Sequence, residues 1–272
     1  MIKQAIIPLA GLGTRLLPLT SVMPKELLPI NGKPNLEYIL EECLEAGIKQ
    51  FIFIISKEKI SIKKYFFNDL FYKKIIKKKK DKRIIEEFRK IKKYQKMIKF
   101  VYQNKPKGTG DAVLKCEKLI KSKFFLMLLP DDLIIKKNCS KEMIRLHNKT
   151  GSSIIATKKV DKSTVSRWGI LSFRKKKKNY FQIKDVIEKP SVKNAPSEYA
   201  IIGRYILPSK IFDEIKKLKP SQGGEIHITD AIRSLIYKGH LFFGNIFKGK
   251  YLDCGTINGY INSGIQIFKG NK

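Results

Sequence analysis

The sequence predicts an α/β fold, a Rossmann-like mixed, mostly parallel central sheet flanked by helices. Two observations predict it. Short apolar runs of strand length alternate with longer amphipathic runs, which favours parallel strands joined by covering helices. The first apolar run, Ala5–Leu9, leads directly into a glycine-rich loop, Ala10–Arg15. Ligand-binding loops of such folds lie at the carboxyl ends of strands.

The remaining elements follow from periodicity and from turn residues. The stretch Asn35–Ala46 carries apolar residues at helical spacing, and Gly47 supplies a stop. The stretch Asn68–Lys96 is either helical or a mobile excursion, and Arg174–Asn179 reads as a polar hairpin tip. Further helices are expected at Asp111–Ile120, Ser209–Leu218, Ile228–Tyr237 and the end of the chain. The expected strands are Ala5–Leu9, Phe51–Ile55, Ile98–Tyr102, Phe124–Leu129, Ser153–Thr157, Gly169–Phe173, Phe181–Ile187, Ala200–Leu207 and one near Lys250–Leu252.

Composition places the chain among folded proteins with a strong basic bias. Of 272 residues, 43% are hydrophobic, 57 are basic and 24 are acidic, for a net charge of +33. Such a field attracts nucleic acids, anionic surfaces or phosphorylated small molecules. The lysines cluster in runs without interleaved aromatic residues, so we interpret them as solvated faces and expect no specific nucleic-acid partner.

The cysteines and apolar segments indicate a cytoplasmic protein. Cys43, Cys116, Cys139 and Cys254 are widely spaced and form no C-x-x-C pair, as expected of reduced thiols. The apolar run at the amino terminus is too short for a signal peptide, and no segment has the length of a membrane span.

The loop Ala10–Arg15 has two readings when taken alone. In the first, the glycines let backbone N–H groups approach phosphate oxygens, and Arg15 adds a guanidinium with two parallel donors. In the second, the glycines only allow a tight turn of the chain. The dinucleotide fingerprint is excluded because Leu16 stands where a third glycine is needed. A Walker A loop is excluded because the Gly-Lys-Ser/Thr ending is missing.

The continuation of this loop decides between the readings. Pro18 and the run Met23–Pro29 place prolines around Lys25 and Glu26, so we expect a rigid, extended segment. From Gly11 to Pro29 the sequence resembles the sugar-nucleotide pyrophosphorylases, whose motifs are G-x-G-T-R-x-x-P and P-K-x-x-x-P. The resemblance covers nearly the whole chain and favours the bacterial UTP–glucose-1-phosphate uridylyltransferases. The later segments that carry it are Gln103 with Lys107–Ala112, Leu129–Asp132, Glu188–Pro190, Ala195–Pro196, Ile202–Tyr205, Gly224–Ile226, Thr229–Ala231 and Asp253–Gly255.

The resemblance implies a fold, a reaction and a set of nucleotide contacts. We expect a nucleotide-diphospho-sugar transferase fold with one domain over 1–272, a nucleotide-binding part over about 1–135 and a sugar-binding part over about 150–255. The reaction is UTP plus glucose 1-phosphate giving UDP-glucose and pyrophosphate, by direct attack of the sugar phosphate on the α-phosphorus. The residues that the resemblance places at the nucleotide are Ala10, Gly11, Gly13, Arg15, Lys25, Glu26, Gln103, Gly108 and Asp132. Arg15 would neutralise the leaving pyrophosphate, Lys25 would contact the α-phosphate, and Glu26 and Gln103 would face the uracil.

Acidic residues near strand ends indicate a magnesium site. Asp131 follows a buried strand, and Mg²⁺ prefers carboxylate oxygens together with phosphate and water. The resemblance adds Asp253 as the second ligand. For Asp132 a solvated position is the alternative, because an adjacent carboxylate at a strand end points elsewhere.

On the sugar side, the resemblance implies that Glu188 binds glucose hydroxyls and Lys189 the sugar phosphate. Gly169 and Gly203 would leave room for the hexose. Trp168 departs from the tyrosine expected in this family, which leaves the hexose preference open. The sequence also departs from the family at its end, where the family continues with a further helical tail. We expect a homo-oligomer, a dimer.

Three alternatives remain. The first is a thymidylyltransferase, because thymine presents the same imide edge as uracil. A basic nucleic-acid or anionic-surface binder would use the net charge. An inactive relative would keep the fold alone, although Arg15, Lys25, Asp131 and Lys189 are all present.

Overall fold

The computed structural model describes residues 2–221 and 224–270. Its secondary structure follows the alternation seen in the sequence. The strands are β1 Gln4–Pro8, β2 Pro29–Ile30, β3 Lys33–Pro34, β4 Gln50–Ile55, β5 Ile98–Tyr102, β6 Phe124–Leu128, β7 Asp132–Ile135, β8 Ser153–Lys159, β9 Gly169–Lys176, β10 Tyr180–Glu188, β11 Tyr199–Pro208, β12 Phe242–Ile246 and β13 Lys250–Asp253. The helices are α1 Asn35–Glu45, α2 Ile60–Phe67, α3 Asp69–Lys79, α4 Lys82–Gln95, α5 Gly108–Leu114, α6 Cys139–Thr150, α7 Ile211–Lys217, α8 Ile228–Tyr237 and α9 Ile257–Gly270.

The central sheet is mixed, and the prediction that it is mostly parallel is wrong. Strands β5, β4, β1 and β6 are neighbours in that order and run parallel. Beyond them, β11 is antiparallel to β6, and β11, β8, β12, β10 and β9 form a ring that closes where Ala200 of β11 pairs with Ile170 of β9. Only β8 and β12 are parallel within this ring. The α/β class is confirmed; the second half of the chain is a five-stranded barrel.

The reason for this difference lies in the connections. Helical crossovers join the parallel strands of the first half, whereas only residues 177–179 separate β9 from β10. Connections of that kind join antiparallel strands, because a parallel return needs a crossover of a dozen or more residues.

The core lies on both faces of the sheet. Along β1, Ala5 and Ile7 face a buried cluster that includes residues of α1, α2 and α6, while Ile6 faces a second cluster with residues of α5, α7 and α8. Alternate residues of a strand point to opposite faces, so a strand covered on both sides is apolar throughout. This places the carboxyl ends of β1 and β6 at an edge where loops from both halves meet.

Three local predictions needed correction or completion. The segment around Lys25 is not extended, because residues Lys25–Leu27 form a 3₁₀ turn. The helix expected at Asp111–Ile120 begins at Gly108 and ends at Leu114. The stretch Asn68–Lys96 is helical, as two helices, α3 and α4. In the part of the chain that the structure describes, no helix is long and apolar enough to cross a membrane.

Candidate active site

A cleft opens where β1 and β6 end, and it has two connected compartments. The larger, of about 340 Å³, is called here the nucleoside-side cavity, and the smaller, of about 180 Å³, the sugar-side cavity. Five residues line both: Leu129, Asp131, Glu188, Tyr205 and Thr229. Asp131 therefore lies at the boundary, where a group transferred from one compartment to the other would pass.

The opening loop contributes backbone to one compartment and a cation to the other. Ala10 and Gly11 line the nucleoside-side cavity, and Arg15 lines the sugar-side cavity. Gly13 adopts a φ of +73° and packs against Thr20, whose Cγ2 would lie 3.1 Å from an added Cβ. The structure thus gives Gly13 a conformational role in the turn; it lines neither cavity among the residues described.

Lys25 forms the shortest ion pair with the boundary carboxylate. Its Nζ lies 2.6 Å from Asp131 Oδ2, while Arg15 Nη2 lies 3.7 Å from the same oxygen. Burial disfavours the charged ammonium, yet the nearby Asp131 and Glu26 carboxylates raise the pKa of Lys25 above its ordinary value. Burial likewise disfavours the Asp131 carboxylate, but Lys25 beside it holds the pKa of Asp131 below its usual range. Both groups are therefore charged at neutral pH.

Asp131 and Asp253 converge on one point although they lie far apart in the sequence. A Cβ added to Gly255 would stand 2.9 Å from Asp131 Oδ2 and 3.2 Å from Asp253 Oδ1. Strand β13 brings them together by pairing with β7, with Asp253 opposite Asp132. Among the described residues, no group of three or more His, Cys, Asp or Glu side chains is placed to hold a metal. Two carboxylates suit Mg²⁺, which commonly takes one or two from the protein and completes its shell with phosphate and water.

The turn that carries Asp131 is held through its carbonyl groups. Arg204, a buried residue of β11, donates from Nη1 to Leu129 O (3.1 Å) and from Nη2 to Asp132 O (2.6 Å). Asn35 Nδ2 donates to Pro130 O at 2.9 Å, and the Cys254 backbone N–H donates to Asp131 O at 2.8 Å. Buried backbone groups need such partners. These bonds fix the turn, and with it the direction of the Asp131 side chain.

Asp132 is not solvated, which corrects the alternative raised from the sequence. It accepts hydrogen bonds from the Gly203 backbone N–H (2.8 Å) and from Tyr251 Oη (2.7 Å). Burial, together with the Asp131 charge, raises the pKa of Asp132 to about 6. It lines the sugar-side cavity, so its predicted place at the nucleotide receives no support from this geometry.

Two of the residues expected at the base are engaged with the protein. Glu26 has a fully buried carboxylate bound through both oxygens by Lys59 Nζ, at 2.8 and 2.7 Å. Gln103 lines the nucleoside-side cavity and donates from Nε2 to Asp111 Oδ2 (2.7 Å) and Gly108 O (3.2 Å). With Nε2 so occupied, the Gln103 carbonyl oxygen is the atom available to a base N–H.

Gly108 is required by the protein itself. It has a φ of +89°, and a Cβ there would lie 2.5 Å from Ile226 O and 2.8 Å from Ile226 N. Two backbone bonds fasten the same segments: Gly110 N–H to Ile226 O (2.7 Å) and Ile226 N–H to Lys107 O (2.9 Å). Gly108 also lines the nucleoside-side cavity, so its contact with the nucleotide stays a prediction beside this close approach of the chain around Ile226.

Three of the four residues expected on the sugar side, Glu188, Gly169 and Gly203, line the sugar-side cavity. Glu188 lines both compartments and accepts a hydrogen bond from Thr229 Oγ1 at 3.0 Å. Gly169 and Gly203 line the sugar-side cavity; a Cβ on Gly203 would lie 2.5 Å from Asp132 Oδ2. Lys189 differs, because it lines the nucleoside-side cavity.

Several lining residues were missed from the sequence. Tyr251 packs its ring edge-to-face with Trp168, 5.9 Å between centroids, and both line the sugar-side cavity. Arg167 and Thr229 also line it. Arg167 directly precedes Trp168, and Tyr251 lies two residues before Asp253. The sequence analysis singled out Trp168 and Asp253, but nothing in the sequence marked Arg167 or Tyr251 separately.

Comparison with known proteins gives concordant matches over the whole fold. The family model described as Nucleotidyl transferase matches residues 4–269. UTP–glucose-1-phosphate uridylyltransferase 1 of Staphylococcus saprophyticus is 36% identical over 98% of this chain and 92% of its own length. A crystal structure of UDP-glucose pyrophosphorylase complexed with UDP-glucose has a TM-score of 0.88 and 36% identity, covering 99% of this chain and 100% of that one. A UTP-bound UGPase from Acinetobacter baumannii has a TM-score of 0.88 and 32% identity, covering 98% of this chain and 93% of that one.

Proposed function

The chain belongs to the nucleotidyl transferase family, and on that premise we propose that it transfers a uridylyl group from UTP to glucose 1-phosphate, giving UDP-glucose and pyrophosphate. The observation that carries the proposal is the two-compartment cleft with the Lys25–Asp131 pair at its boundary. A nucleotide in one compartment and a sugar phosphate in the other would meet there.

We assign the nucleotide to a part over about 1–135 and the sugar to a part over about 150–255. Ala10, Gly11 and Gln103 support the first assignment, and Gly169 and Gly203 support the second. The parts interleave at the cleft, since residues 225 and 227–229 line the nucleoside-side cavity.

The chemistry needs positioning and charge neutralisation, with no side-chain nucleophile. The sugar phosphate oxygen attacks the α-phosphorus, and pyrophosphate leaves. Lys25, held close to the boundary, contacts the α-phosphate, and Arg15 neutralises the departing pyrophosphate. The backbone at Ala10 and Gly11 lies against the nucleotide.

Specificity rests on the ends of the cleft. The carbonyl oxygen of Gln103 accepts a hydrogen bond from the imide N–H of uracil. Contact between Glu26 and the base stays a prediction. It would use the Glu26 backbone, because the Glu26 carboxylate binds Lys59. Glu188 accepts from glucose hydroxyls, and Lys189 binds the sugar phosphate.

We further propose Asp131 and Asp253 as the residues that hold Mg²⁺. Their oxygens approach a common point beside Gly255. Lys25 and Arg15 pair with Asp131, and Arg167 faces Asp253. When bound, the ion supplies neutralisation of charge on the phosphate oxygens. Loss of activity in chelator and its return with added Mg²⁺ would be expected.

Two further assignments accompany this function. All four cysteines are free thiols in the structure, which supports a reducing, cytoplasmic location. We keep the homodimer as a proposal, testable by light scattering.

The test of the function is a panel of nucleoside triphosphates crossed with sugar 1-phosphates, read as pyrophosphate release. The highest kcat/KM is expected for UTP with glucose 1-phosphate. Turnover with dTTP in place of UTP would favour the thymidylyltransferase alternative, and no release with any pair would favour the inactive relative.

A further inference from the structure

Arg167 is a cation of the sugar-side cavity to which the reaction above gives no role. It lines that cavity beside Trp168, and its side chain is 53% exposed. Its Nη2 lies 3.7 Å from Asp253 Oδ2, just as Arg15 Nη2 lies 3.7 Å from Asp131 Oδ2. Both separations exceed a hydrogen bond, so each guanidinium faces its carboxylate without being fixed to it.

Backbone pairing, rather than this ion pair, brings Arg167 to the cavity. Gly169 at the start of β9 pairs with Glu188 at the end of β10, and the Lys189 backbone N–H donates to Trp168 O at 3.0 Å. Arg167 immediately precedes this pair, at the end of the 3₁₀ segment Lys162–Arg167. The hairpin therefore delivers Arg167 to the same edge as Glu188 and Lys189, the residues assigned to the sugar and its phosphate.

Before Mg²⁺ binds, the side chains that line the sugar-side cavity carry more negative than positive charge. The described residues that line it include four carboxylates, Asp131, Asp132, Glu188 and Asp253, against two cations, Arg15 and Arg167. A sugar phosphate carries negative charge of its own and would be repelled by this lining. Lys25 and Lys189 line the other compartment. With Arg15 assigned to pyrophosphate, Arg167 is the remaining cation of this cavity, and its planar fork suits two phosphate oxygens.

We propose that Arg167 binds the phosphate of the sugar 1-phosphate, together with Lys189. The inference rests on the proposed function and deepens it by assigning a further substrate-binding residue. On substrate binding, the guanidinium exchanges its loose contact with Asp253 for the phosphate, which leaves the Asp253 carboxylate free.

The experiment compares Arg167→Ala and Arg167→Lys with the control Arg174→Ala, an exposed arginine on β9 that lines neither cavity. UDP-glucose formation by the unaltered protein is measured first, because failure there refutes the function and not this inference. Arg167→Ala is expected to raise the KM for glucose 1-phosphate about tenfold, the equivalent of one charged hydrogen bond. The KM for UTP should change less than about twofold, Arg167→Lys should recover part of the loss, and Arg174→Ala should match the unaltered protein.

The reverse reaction separates the remaining roles. With UDP-glucose saturating, the KM for pyrophosphate should be unchanged in Arg167→Ala. A raised KM for pyrophosphate would show that Arg167 binds the leaving group instead. Equal changes in both forward KM values, together with a higher Mg²⁺ requirement, would show that Arg167 only pairs with Asp253. Either result, or unchanged kinetics, overturns the proposal.

Discussion

Lys25 is the cation of the cleft whose position is most restricted. Its side chain is 15% exposed, compared with 61% for Arg15 and 60% for Lys189. The short contact with Asp131 and its 3₁₀ turn hold it at the boundary of the two compartments. A preorganised charge of this kind acts on the transition state more than on the bound substrate.

We therefore expect Lys25→Met to lower kcat by about 100-fold, the size of effect seen on removing one preorganised donor, with smaller changes in either KM. Steady-state kinetics with both substrates measure this. Lys64→Met, at an exposed lysine of α2, serves as the control and should retain full kcat. A Lys25→Met enzyme with near-normal kcat would contradict the role given to this residue.

Arg204 has two separable functions because it binds a side chain and a set of carbonyls. Its Nη2 lies 2.9 Å from Glu42 Oε2, with both groups buried. Removing one partner of such a pair leaves an unpaired buried charge, a cost of about 3–5 kcal/mol. Arg204→Met should reduce the free energy of unfolding by that amount in urea denaturation.

The double variant Glu42→Leu with Arg204→Met tests the separation. Because no charge is left unpaired, most of the lost stability should return. Its kcat should stay low, since the carbonyls of Leu129 and Asp132 still lack their donor and the turn bearing Asp131 is released. Full recovery of both stability and kcat would show that Arg204 only balances Glu42.

At the scale of elements, the nucleoside-side cavity is closed by two segments locked to each other. The start of α5 and the chain around Ile226 exchange backbone hydrogen bonds, and Gly108 and Gly110 both lie against Ile226. Gln103 reaches the same region through Gly108 O and Asp111. Gly108 itself lines this cavity, so the geometry around the base depends on a glycine whose backbone is held against the chain around Ile226.

Gly108→Ala should consequently raise the KM for UTP and lower stability together. The matched control is Gly47→Ala, since Gly47 has the same φ of +89° but open space around an added Cβ. The control should lose about 1–2 kcal/mol of stability from the left-handed backbone alone, with an unchanged KM. Thermal unfolding and UTP titration of both variants measure the difference. Equal losses of stability and equal KM values for UTP would contradict a role for the packing of Gly108 against Ile226.

The elements also show which parts of the fold could be predicted from the sequence. Strand β5 and helix α8 have the predicted bounds, because apolar runs and amphipathic stripes record burial directly. Helix α6 and strand β12 were missed. The antiparallel barrel was missed because periodicity reports which face of a strand is buried and not the direction of the neighbouring strand. The short connection between β9 and β10 was the local sign of an antiparallel pair.

At the scale of the whole molecule, the motifs predict which residues belong to the candidate site but not how those residues come together in space. Asp131 and Asp253 are brought together by the pairing of β7 with β13, a contact that spacing cannot predict. The resemblance predicted that Asp131 and Asp253 lie together. The places of Arg167 and Tyr251 in the cleft, and the hydrogen bonds from Arg204 to the turn that bears Asp131, became visible only in the structure.

The net charge of +33 belongs to the whole surface rather than to the cleft. The lysine runs at 77–80 and 175–178 lie exposed at the end of α3 and at the β9–β10 hairpin. Such charge attracts polyanions by counterion release, which is steeply salt-dependent and carries no sequence preference. We expect a labelled DNA duplex to bind in about 50 mM salt and to lose about a thousandfold or more of its affinity by about 200 mM. Fluorescence anisotropy across that range, with duplexes of unrelated sequence, measures the slope; affinity that withstands salt or selects one sequence would establish a nucleic-acid function beside nucleotidyl transfer.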